Sequence, residues 1–304
     1  MNILETNHIS FAFGKTPVID EVSLSVPEGA AYGFLGENGT GKSTTLKLLM
    51  GLLAPKQGEV RAFGQPMHRH AYKLHQRMGA LIEDPPLYPH LSGWENLEVT
   101  ARYRNLPTKR IDEVLDLVRL RPNAHRKVRG YSTGMKQRLG IALALLSDPD
   151  ILILDEPTNG LDPQGIIDIR QLIQQLHRQE GKTIVMSSHL LHEVESICTH
   201  VGILHQKKLI FQGAVDALKA TQRTNELTMH LEVEAPEKAL QTLLPFYPAQ
   251  RIAETVSVQL TNREQVSPMI DLLRQANIAI YAVTPAEVRL EDLYLQLTHE
   301  QLPA

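Results

Sequence analysis

A short segment near the N-terminus has the residue types of a phosphate-binding loop. Residues 36–44 read GENGTGKST and fit the pattern G-x-x-x-x-G-K-[ST] between a predicted strand, residues 30–35, and a predicted helix, residues 43–50. The glycines let backbone N–H groups surround phosphate oxygens, and the helix N-terminus adds positive potential. Lys42 lies in the first turn, where its charge opposes the helix dipole unless an anion sits between them. We therefore predict a nucleotide site on Gly36, Asn38, Gly39, Gly41, Lys42, Ser43 and Thr44.

A pair of carboxylates further along the chain favours this interpretation over the alternative for the loop, a glycine-rich turn with an exposed lysine. Asp155 and Glu156 follow a buried-strand pattern at residues 151–154. A carboxylate at the end of such a strand can hold Mg²⁺, and the hydroxyl of Ser43 would complete the metal site. Glu156 would lie within reach of an attacking water and is the candidate general base. Alone, the pair would also fit a solvated loop before Pro157.

A histidine follows another predicted buried strand. His189 comes just after residues 183–187, so we expect it beside Asp155, with its imidazole bonded to the γ-phosphate or orienting the water. An exposed polar side chain is the alternative for a lone histidine. Three other histidines lie in a polar segment without acidic or cysteine partners, and we predict exposed side chains rather than a metal site for His68, His70 and His75.

The start of a second helix also has the character of an anion site. Residues 132–138 read STGMKQR and place a hydroxyl, a glycine and basic side chains at the N-terminus of a helix predicted for residues 132–146, with Ser132 as its N-cap. One chain needs only one phosphate loop, so this segment is not required by the nucleotide of its own chain.

The order of the predicted elements places these groups along one edge of a sheet. Strands are predicted at residues 3–13, 22–26, 30–35, 78–82, 151–154 and 183–187, and helices at residues 43–50, 94–104, 110–118, 132–146 and 164–179. This alternation predicts an α/β fold with a mainly parallel sheet whose ligands lie beyond the carboxyl ends of the strands. A proline-rich loop and a mostly helical insertion predict a helical subdomain at about residues 84–146.

Composition restricts the class of protein. The chain has 304 residues, 42% hydrophobic and 21% charged, with a net charge of −3. No apolar run approaches the ~20 residues that a membrane span needs, and the first residues lack a signal pattern, so we expect a cytoplasmic protein. The single cysteine, Cys198, excludes an internal disulfide. We predict no nucleic-acid binding, because no aromatic residues interleave with the one basic cluster, Arg119, Arg121, Arg126, Lys127 and Arg129.

A change in charge and in element length marks a domain boundary near Thr221. Acidic residues outnumber basic ones beyond this point, whereas the two nearly balance before it. Strands are predicted at residues 227–233, 251–260 and 278–283, and helices at residues 236–244 and 263–276. We therefore predict two domains, residues 1–220 and a small α+β domain at residues 221–304, to which no chemistry is assigned.

Taken together, the motifs resemble those of the ATP-binding subunits of ABC transporters. The phosphate loop, the segment beginning at Ser132, residues 151–157, residues 159–162 and the Ser188-His189 pair occur in the family's order over roughly residues 1–221. The resemblance implies a P-loop NTPase fold of the ABC ATPase type, in which an antiparallel β subdomain and a helical subdomain accompany the main sheet. It also implies ATP and Mg²⁺ as cofactors, with Phe13 stacked on the adenine.

The same resemblance implies that two chains share each nucleotide. The segment at residues 132–138 is the family's signature motif, although Thr133 and Met135 replace its commonest residues. In the family this motif completes the site of the opposing subunit, so Ser132 and Gly134 would serve the partner's ATP and Asp162 would lie at the subunit seam. The implied partners are a second copy or a homologous ATP-binding subunit, and separately encoded transmembrane permease subunits. The resemblance then implies that this chain is peripheral on the inner face of the cell membrane.

One residue differs from the usual pattern of the family and points to a particular type of subunit within it. Most members of the family carry a glutamine after the strand that ends near Ile82, whereas this chain has Glu83. Residues 83–97 resemble the corresponding loop of exporter subunits of the bacitracin-resistance and lantibiotic-immunity type. A carboxylate there can hold Mg²⁺ but adds negative charge near the γ-phosphate, so we expect Glu83 to tune hydrolysis or coupling. The alternative is that Glu83 is a neutral variant.

We therefore expect an ATPase that powers an ABC exporter, for peptide antibiotics or self-immunity. A soluble regulatory ATPase of the same superfamily, acting on ribosomes or DNA, is disfavoured because the chain has neither a second cassette nor a long coiled-coil insertion. A small-molecule kinase would share the phosphate loop without needing the signature helix. An exporter for another cargo is an open alternative, because the cargo contacts the membrane subunits. The direction of transport, the choice between homodimer and heterodimer, and the role of the C-terminal domain are also left open by the sequence.

Overall fold

The computed structural model describes residues 1–221, 227–286 and 290–299. Its strands are β1 (Asn2–Phe13), β2 (Thr16–Val22), β3 (Ser25–Pro27), β4 (Ala31–Leu35), β5 (Gln57–Ala62), β6 (Gln65–Pro66), β7 (Met78–Leu81), β8 (Ile151–Asp155), β9 (Thr183–Ser188), β10 (His200–His205), β11 (Lys208–Ala214), β12 (Leu227–Val233), β13 (Ala249–Ile252), β14 (Thr255–Leu260) and β15 (Ile280–Pro285). Its α-helices are α1 (Lys42–Leu49), α2 (Met67–His75), α3 (Gly93–Tyr103), α4 (Lys109–Leu117), α5 (Thr133–Leu145), α6 (Pro163–Arg178), α7 (Leu191–Ile197), α8 (Val215–Thr221), α9 (Pro236–Leu243), α10 (Val266–Gln275) and α11 (Leu290–His299).

A mainly parallel sheet forms the centre of the first unit, Met1–Val215, with which the described residues 297–299 also group. Its strand order is β11-β10-β4-β9-β8-β7, and every neighbouring pair is parallel except β10 with β11. Strand β4 and strand β9 are buried along their whole length, as expected for strands covered on both faces. The carboxyl ends of β4, β8 and β9 are adjacent, so the segments that follow them meet at one edge of the sheet.

A second, antiparallel sheet of this unit has the order β2-β1-β5-β6, with β3 also paired to β1. The single strand predicted at residues 22–26 is wrong, because two strands, β2 and β3, pair with different halves of β1. His8, whose φ is 45°, lies between the residues of β1 that pair with β3 and those that pair with β2. Thr6 bridges the gap between the two partners, since its hydroxyl donates to the Val22 carbonyl and accepts from the Leu24 N–H.

Helices α3, α4 and α5 follow an irregular loop after β7. Helix α3 begins with a capping box, in which Ser92 and Glu95 each accept the other's backbone N–H. These hydrogen bonds from Ser92 lower the pKa of Glu95. The buried amide of Asn96 accepts from the Tyr88 N–H at 2.7 Å and donates to the Tyr88 carbonyl at 3.2 Å. The loop is thereby fixed to α3 rather than free in solvent.

The second unit, Asp216–Gln296, contains a complete β-α-β-β-α-β arrangement. Strand β12, helix α9, the β13–β14 hairpin, helix α10 and strand β15 give an antiparallel sheet of order β13-β14-β12-β15, the ferredoxin-like arrangement. Alternate residues of β12, Met229, Leu231 and Val233, share one core with buried residues of both helices. The single strand predicted at residues 251–260 is wrong, because the chain turns at Ala253, whose φ is 52°.

Two other features of the described residues bear on the predictions. Cys198 is buried, and burial together with the charge of Glu193 raises the pKa of its thiol, so the cysteine stays protonated. Each helix in the described part of the chain is too short or too polar to traverse a bilayer. The prediction of three exposed histidines holds for His68 and His70 and is wrong for His75, which is half-buried with a ring nitrogen 2.6 Å from the Met50 carbonyl oxygen.

Candidate functional site

The phosphate loop connects β4 to α1 in a conformation that its glycines make accessible. Gly41, the N-cap of α1, has a φ of 106°. A Cβ at this position would lie 2.6 Å from Ile19 Cδ1 and 3.0 Å from the Val18 carbonyl oxygen. A Cβ on Gly36 would meet the Leu204 carbonyl oxygen at 2.7 Å. These close approaches explain why both positions are glycine and place β2 directly against the loop.

Lys42 is buried at the centre of the loop, with only 5% of its surface exposed. Its ammonium donates to the carbonyls of Gly36 at 2.7 Å and Glu37 at 3.1 Å. The Glu156 carboxylate lies 3.5 Å from the same nitrogen. A buried ammonium is costly unless oxygen atoms surround it, and here three oxygens do so. The charge of Lys42 is therefore fixed at the edge of the sheet where β4 and β8 end.

The two acids at the end of β8, Asp155 and Glu156, are held by a serine on the neighbouring strand. The hydroxyl of Ser187 donates to Asp155 Oδ1 at 2.5 Å and accepts from the Glu156 N–H at 2.9 Å. Glu156 has a φ of 43°, a conformation that non-glycine residues rarely adopt. Ser187 was not among the predicted site residues. Its sequence signal is weak, because only its place at the end of a buried strand before His189 distinguishes it.

His189 completes a line of three side chains. Its Nδ1 lies 3.1 Å from Glu156 Oε2, while Glu156 Oε1 faces Lys42. The Glu156 carboxylate thus stands between a permanent cation and an imidazole that can donate a proton or accept one. The structure brings Lys42 and His189 together with the adjacent acids Asp155 and Glu156, although these three segments lie far apart in sequence. Such a group can orient a water and accept its proton.

The segments at Ser132 and Asp162 form a separate pair of helix starts. Ser132 caps α5 by accepting from the Met135 N–H at 3.3 Å, and Asp162 caps α6 by accepting from the Gly165 N–H at 3.1 Å. The two starts are neighbours, because a Cβ on Gly134 would lie 3.9 Å from Leu161 Cδ2. Among the contacts of the described residues, none joins Ser132 or Gly134 to the group around Lys42.

Phe13 lies at the tip of the β1–β2 hairpin and is 56% exposed. Its ring packs edge-on against Phe11, with centroids 4.9 Å apart and planes at 88°. The same hairpin contacts the phosphate loop through Val18 and Ile19. One face of an aromatic ring is therefore presented to solvent on the strand pair that borders the loop. A planar base could stack there.

Glu83 follows β7 with a φ of 66°, and its carboxylate is turned towards α1. The Lys47 ammonium donates to Glu83 Oε1 at 2.5 Å. Lys47 lies one turn beyond the phosphate loop on α1, so the carboxylate has its own counter-charge. This ion pair was not predicted from the sequence, because the two residues are distant in the chain and belong to different motifs.

The donor set fits a hard cation with few protein ligands. No group of three or more His, Cys, Asp or Glu residues suited to a metal is found among the described residues. Mg²⁺ commonly takes one or two protein oxygens and completes its shell with water and phosphate oxygens. The Asp155 carboxylate, the hydroxyl of Ser43 and the Glu83 carboxylate are oxygen donors of the appropriate kind, whereas soft thiolate ligands are absent from this described edge of the sheet.

Comparison with protein families gives two matches. The family model described as "ABC transporter" matches residues 19–159, which include the phosphate loop, α5 and the acids after β8. A model described as "AAA domain, putative AbiEii toxin, Type IV TA system" matches residues 124–195, from the signature segment to α7. Both matches contain Asp155 and Glu156.

Comparison with curated proteins gives similarities along the whole chain. An uncharacterized ABC transporter ATP-binding protein, YhcH of Bacillus subtilis, is 40% identical over 299 residues, covering 98% of this chain and 96% of that protein. The bacitracin transport ATP-binding protein BcrA of Bacillus licheniformis is 35% identical and covers 97% of each chain. The lantibiotic transport ATP-binding protein SrtF of Streptococcus pyogenes is 38% identical over 70% of this chain and 92% of that protein.

Solved structures give a consistent result. One described as the ATP-binding subunit of an ABC transporter superposes with a TM-score of 0.65 at 29% identity, covering 72% of this chain and 92% of that one. Another, a dimeric post-hydrolysis state of the ATP-binding cassette MJ0796 bound to ADP and Pi, superposes with a TM-score of 0.63 at 25% identity over 70% of this chain and 98% of that one.

Proposed function

Since this chain belongs to the family of ABC transporter ATP-binding proteins and is an ATPase, we propose that it powers an exporter for peptide antibiotics of the bacitracin or lantibiotic kind. The observation that carries the proposal is the share of this chain that one relative matches. The protein named for bacitracin transport matches 97% of this chain, so the match includes the ferredoxin-like second unit as well as the cassette. The acidic residue Glu83, in place of glutamine, supports the same assignment.

The reaction follows from the line of charges at the sheet edge. Lys42 and the loop amides would hold the β- and γ-phosphates. Glu156 would accept a proton from a water, whose oxygen then bonds to the γ-phosphorus as the bond to the β–γ bridging oxygen breaks. His189 would bond the γ-phosphate and hold Glu156 by its Nδ1 contact. The products are ADP and inorganic phosphate, and the proton leaves through Glu156.

Oxygen donors of this chain would hold a divalent cation beside these groups. We assign this role to Ser43 in the phosphate loop, Asp155 at the end of β8 and Glu83 after β7, because each offers a hard oxygen donor. When bound, Mg²⁺ neutralises charge on the phosphate oxygens. The hydroxyl of Ser187 would keep one oxygen of Asp155 occupied, so that the other remains available.

The proposed working unit contains two cassettes and a permease. Ser132 and Gly134 would contact the nucleotide of the opposing cassette, and Asp162 would lie at the seam. The N-terminus of α5 supports this arrangement. Its Ser132 and Thr133 are exposed, and no described contact joins them to Lys42, Glu156 or His189 of their own chain. The permease would be encoded separately, and this chain would lie on the cytoplasmic face of the membrane.

A purification experiment tests the transporter assignment. The tagged chain should be expressed with the genes that neighbour its own, and the membranes solubilised in detergent. We expect a multi-span membrane protein to co-purify, and ATPase turnover of that complex to rise when bacitracin or a lantibiotic is added. Recovery of the chain alone, with the membrane protein present but unbound, would contradict the proposal in favour of a regulatory ATPase.

Glu83 provides a more specific prediction. The Glu83→Gln variant removes one negative charge near the γ-phosphate, so we expect its KM for ATP to fall by about two- to fivefold. The Lys47→Met variant leaves the Glu83 carboxylate without its counter-charge, and its KM should rise. Steady-state kinetics would measure both values, and growth in bacitracin would report coupling. Unchanged KM, turnover and tolerance in Glu83→Gln would make Glu83 a neutral variant.

A further inference from the structure

Glu193, on α7, is a buried carboxylate that the proposed reaction does not use. Its side chain is 0% exposed. Glu193 Oε2 accepts from the Thr158 hydroxyl at 2.8 Å and from the Ser188 hydroxyl at 3.2 Å. Its Oε1 is also buried and has no hydrogen-bond partner among the residues that the structure describes. A carboxylate in this environment costs free energy that an apolar residue of similar size would not, so packing alone does not explain it.

The two hydroxyls that Glu193 binds belong to the two segments that carry the reacting groups. Thr158 lies two residues beyond Glu156, and Ser188 immediately precedes His189. Both side chains are buried, at 5% and 3% exposure, so water does not compete for these bonds. One carboxylate oxygen therefore links the segment after β8 to the end of β9.

A second hydrogen bond holds the same segment, residues 156–158, to β9. The Glu156 N–H is bonded to Ser187 on β9, and the chain leaves Glu156 with a positive φ of 43°. A residue in that region of φ returns to a commoner conformation unless its surroundings hold it. The Thr158 bond to Glu193 supplies the holding contact on the other side of Glu156.

We propose that Glu193 is a positioning residue for ATP hydrolysis. By fixing Thr158 and Ser188 to one oxygen, it keeps the Glu156 carboxylate and the His189 imidazole at their 3.1 Å separation. The inference rests on the proposed roles of Glu156 and His189. It requires a hydrogen-bond acceptor at position 193, and not a charge, because both partners are hydroxyl donors.

Four variants and a control test the inference. Glu193→Ala and Thr158→Val each break the link, and we expect kcat to fall roughly 10- to 100-fold because small displacements of reacting groups have effects of that order. The KM for ATP should stay within about twofold, since among the described hydrogen bonds none joins Glu193 or Thr158 to the phosphate loop. The double variant should be no slower than the slower single variant, because both changes cut one interaction.

Glu193→Gln keeps an acceptor oxygen and should restore most of kcat. His192→Ala, exposed on the same helix, is the control and should match the wild type.

Several results would overturn the inference. It fails if Glu193→Ala and Thr158→Val both keep their kcat within about twofold of the wild type, if only KM changes, or if the two effects multiply. Should Glu193→Ala not fold, Thr158→Val and Ser188→Ala, which each remove a hydroxyl group, carry the same expectations. Glu156→Gln is measured in parallel. If that variant retains turnover, the assignment of the base is wrong and the inference falls with it. If it is inactive while the link variants are normal, this inference alone is wrong.

Discussion

The Glu156→Gln variant is expected to lose ATP hydrolysis by at least about 100-fold while still binding ATP, because an amide cannot accept the proton of the attacking water. The contacts of Glu156 explain why binding should survive. Lys42 keeps its two carbonyl acceptors, and the Glu156 backbone N–H keeps its bond to Ser187. The variant should therefore hold its fold and its nucleotide but not release phosphate.

Two measurements check this expectation. The rate of phosphate release measures turnover. Size-exclusion chromatography at saturating Mg-ATP should show a stable dimer of the variant, because ATP is bound by both subunits but not hydrolysed. Glu180→Gln makes the same chemical change at an exposed position and should behave as the wild type. Full turnover in Glu156→Gln would remove Glu156 from the role of base. A strictly monomeric variant would contradict the shared nucleotide site.

The Lys42→Met variant should lose nucleotide binding itself. Its ammonium is held by the loop carbonyls of Gly36 and Glu37, and a charged hydrogen bond to a phosphate contributes enough that the ATP affinity should fall roughly 10- to 100-fold. The loss of the Lys42 contact also leaves Glu156 facing the γ-phosphate without a cation, so turnover should fall further than affinity.

Equilibrium binding of a fluorescent ATP analogue, together with turnover at saturating ATP, separates the two effects. The Lys73→Met variant changes an exposed lysine on α2 and serves as the matched control. A circular dichroism spectrum should confirm that both variants are folded. If Lys42→Met bound the analogue as tightly as the wild type, the loop would not be the phosphate site.

The positions of the strands around the site could be predicted because burial on both faces leaves a simple sequence signal. Strand β8 has four consecutive apolar residues and ends at Asp155, and β9 has three apolar residues before the two serines that precede His189. The parallel order of strands then placed Lys42, Glu156 and His189 at one edge without further information. Strand β12 was predicted with its full bounds, because its apolar residues alternate cleanly.

Other parts of the fold could not be predicted, for physical reasons. Helix α2 begins after Pro66 without a capping side chain and departs from helical φ/ψ at His70, and half of the residues of strand β5 are polar, so neither element has a strong sequence signal. The turn at Ala253 contains no glycine or asparagine, so the hairpin was read as one strand.

The site residues that were missed share one property. Ser187, Glu193 and Lys47 act through hydrogen bonds to side chains or backbone groups distant in the sequence. A motif records spacing along the chain, and no spacing links α7 to the segment after β8. Contacts of this kind become visible only when the strands are placed side by side.

The close contact between the starts of α5 and α6 has a consequence for how the two cassettes of a dimer would work. Gly134 and Leu161 are near enough that a side chain at position 134 would touch the leucine. In the proposed assembly, α5 of one chain faces the ATP of its partner, whereas the segment before α6 leads back to that chain's own Glu156. A movement of α5 would therefore act on Leu161 and, through it, on the segment that leads to Glu156. The two ATP molecules would then be hydrolysed cooperatively rather than as independent events.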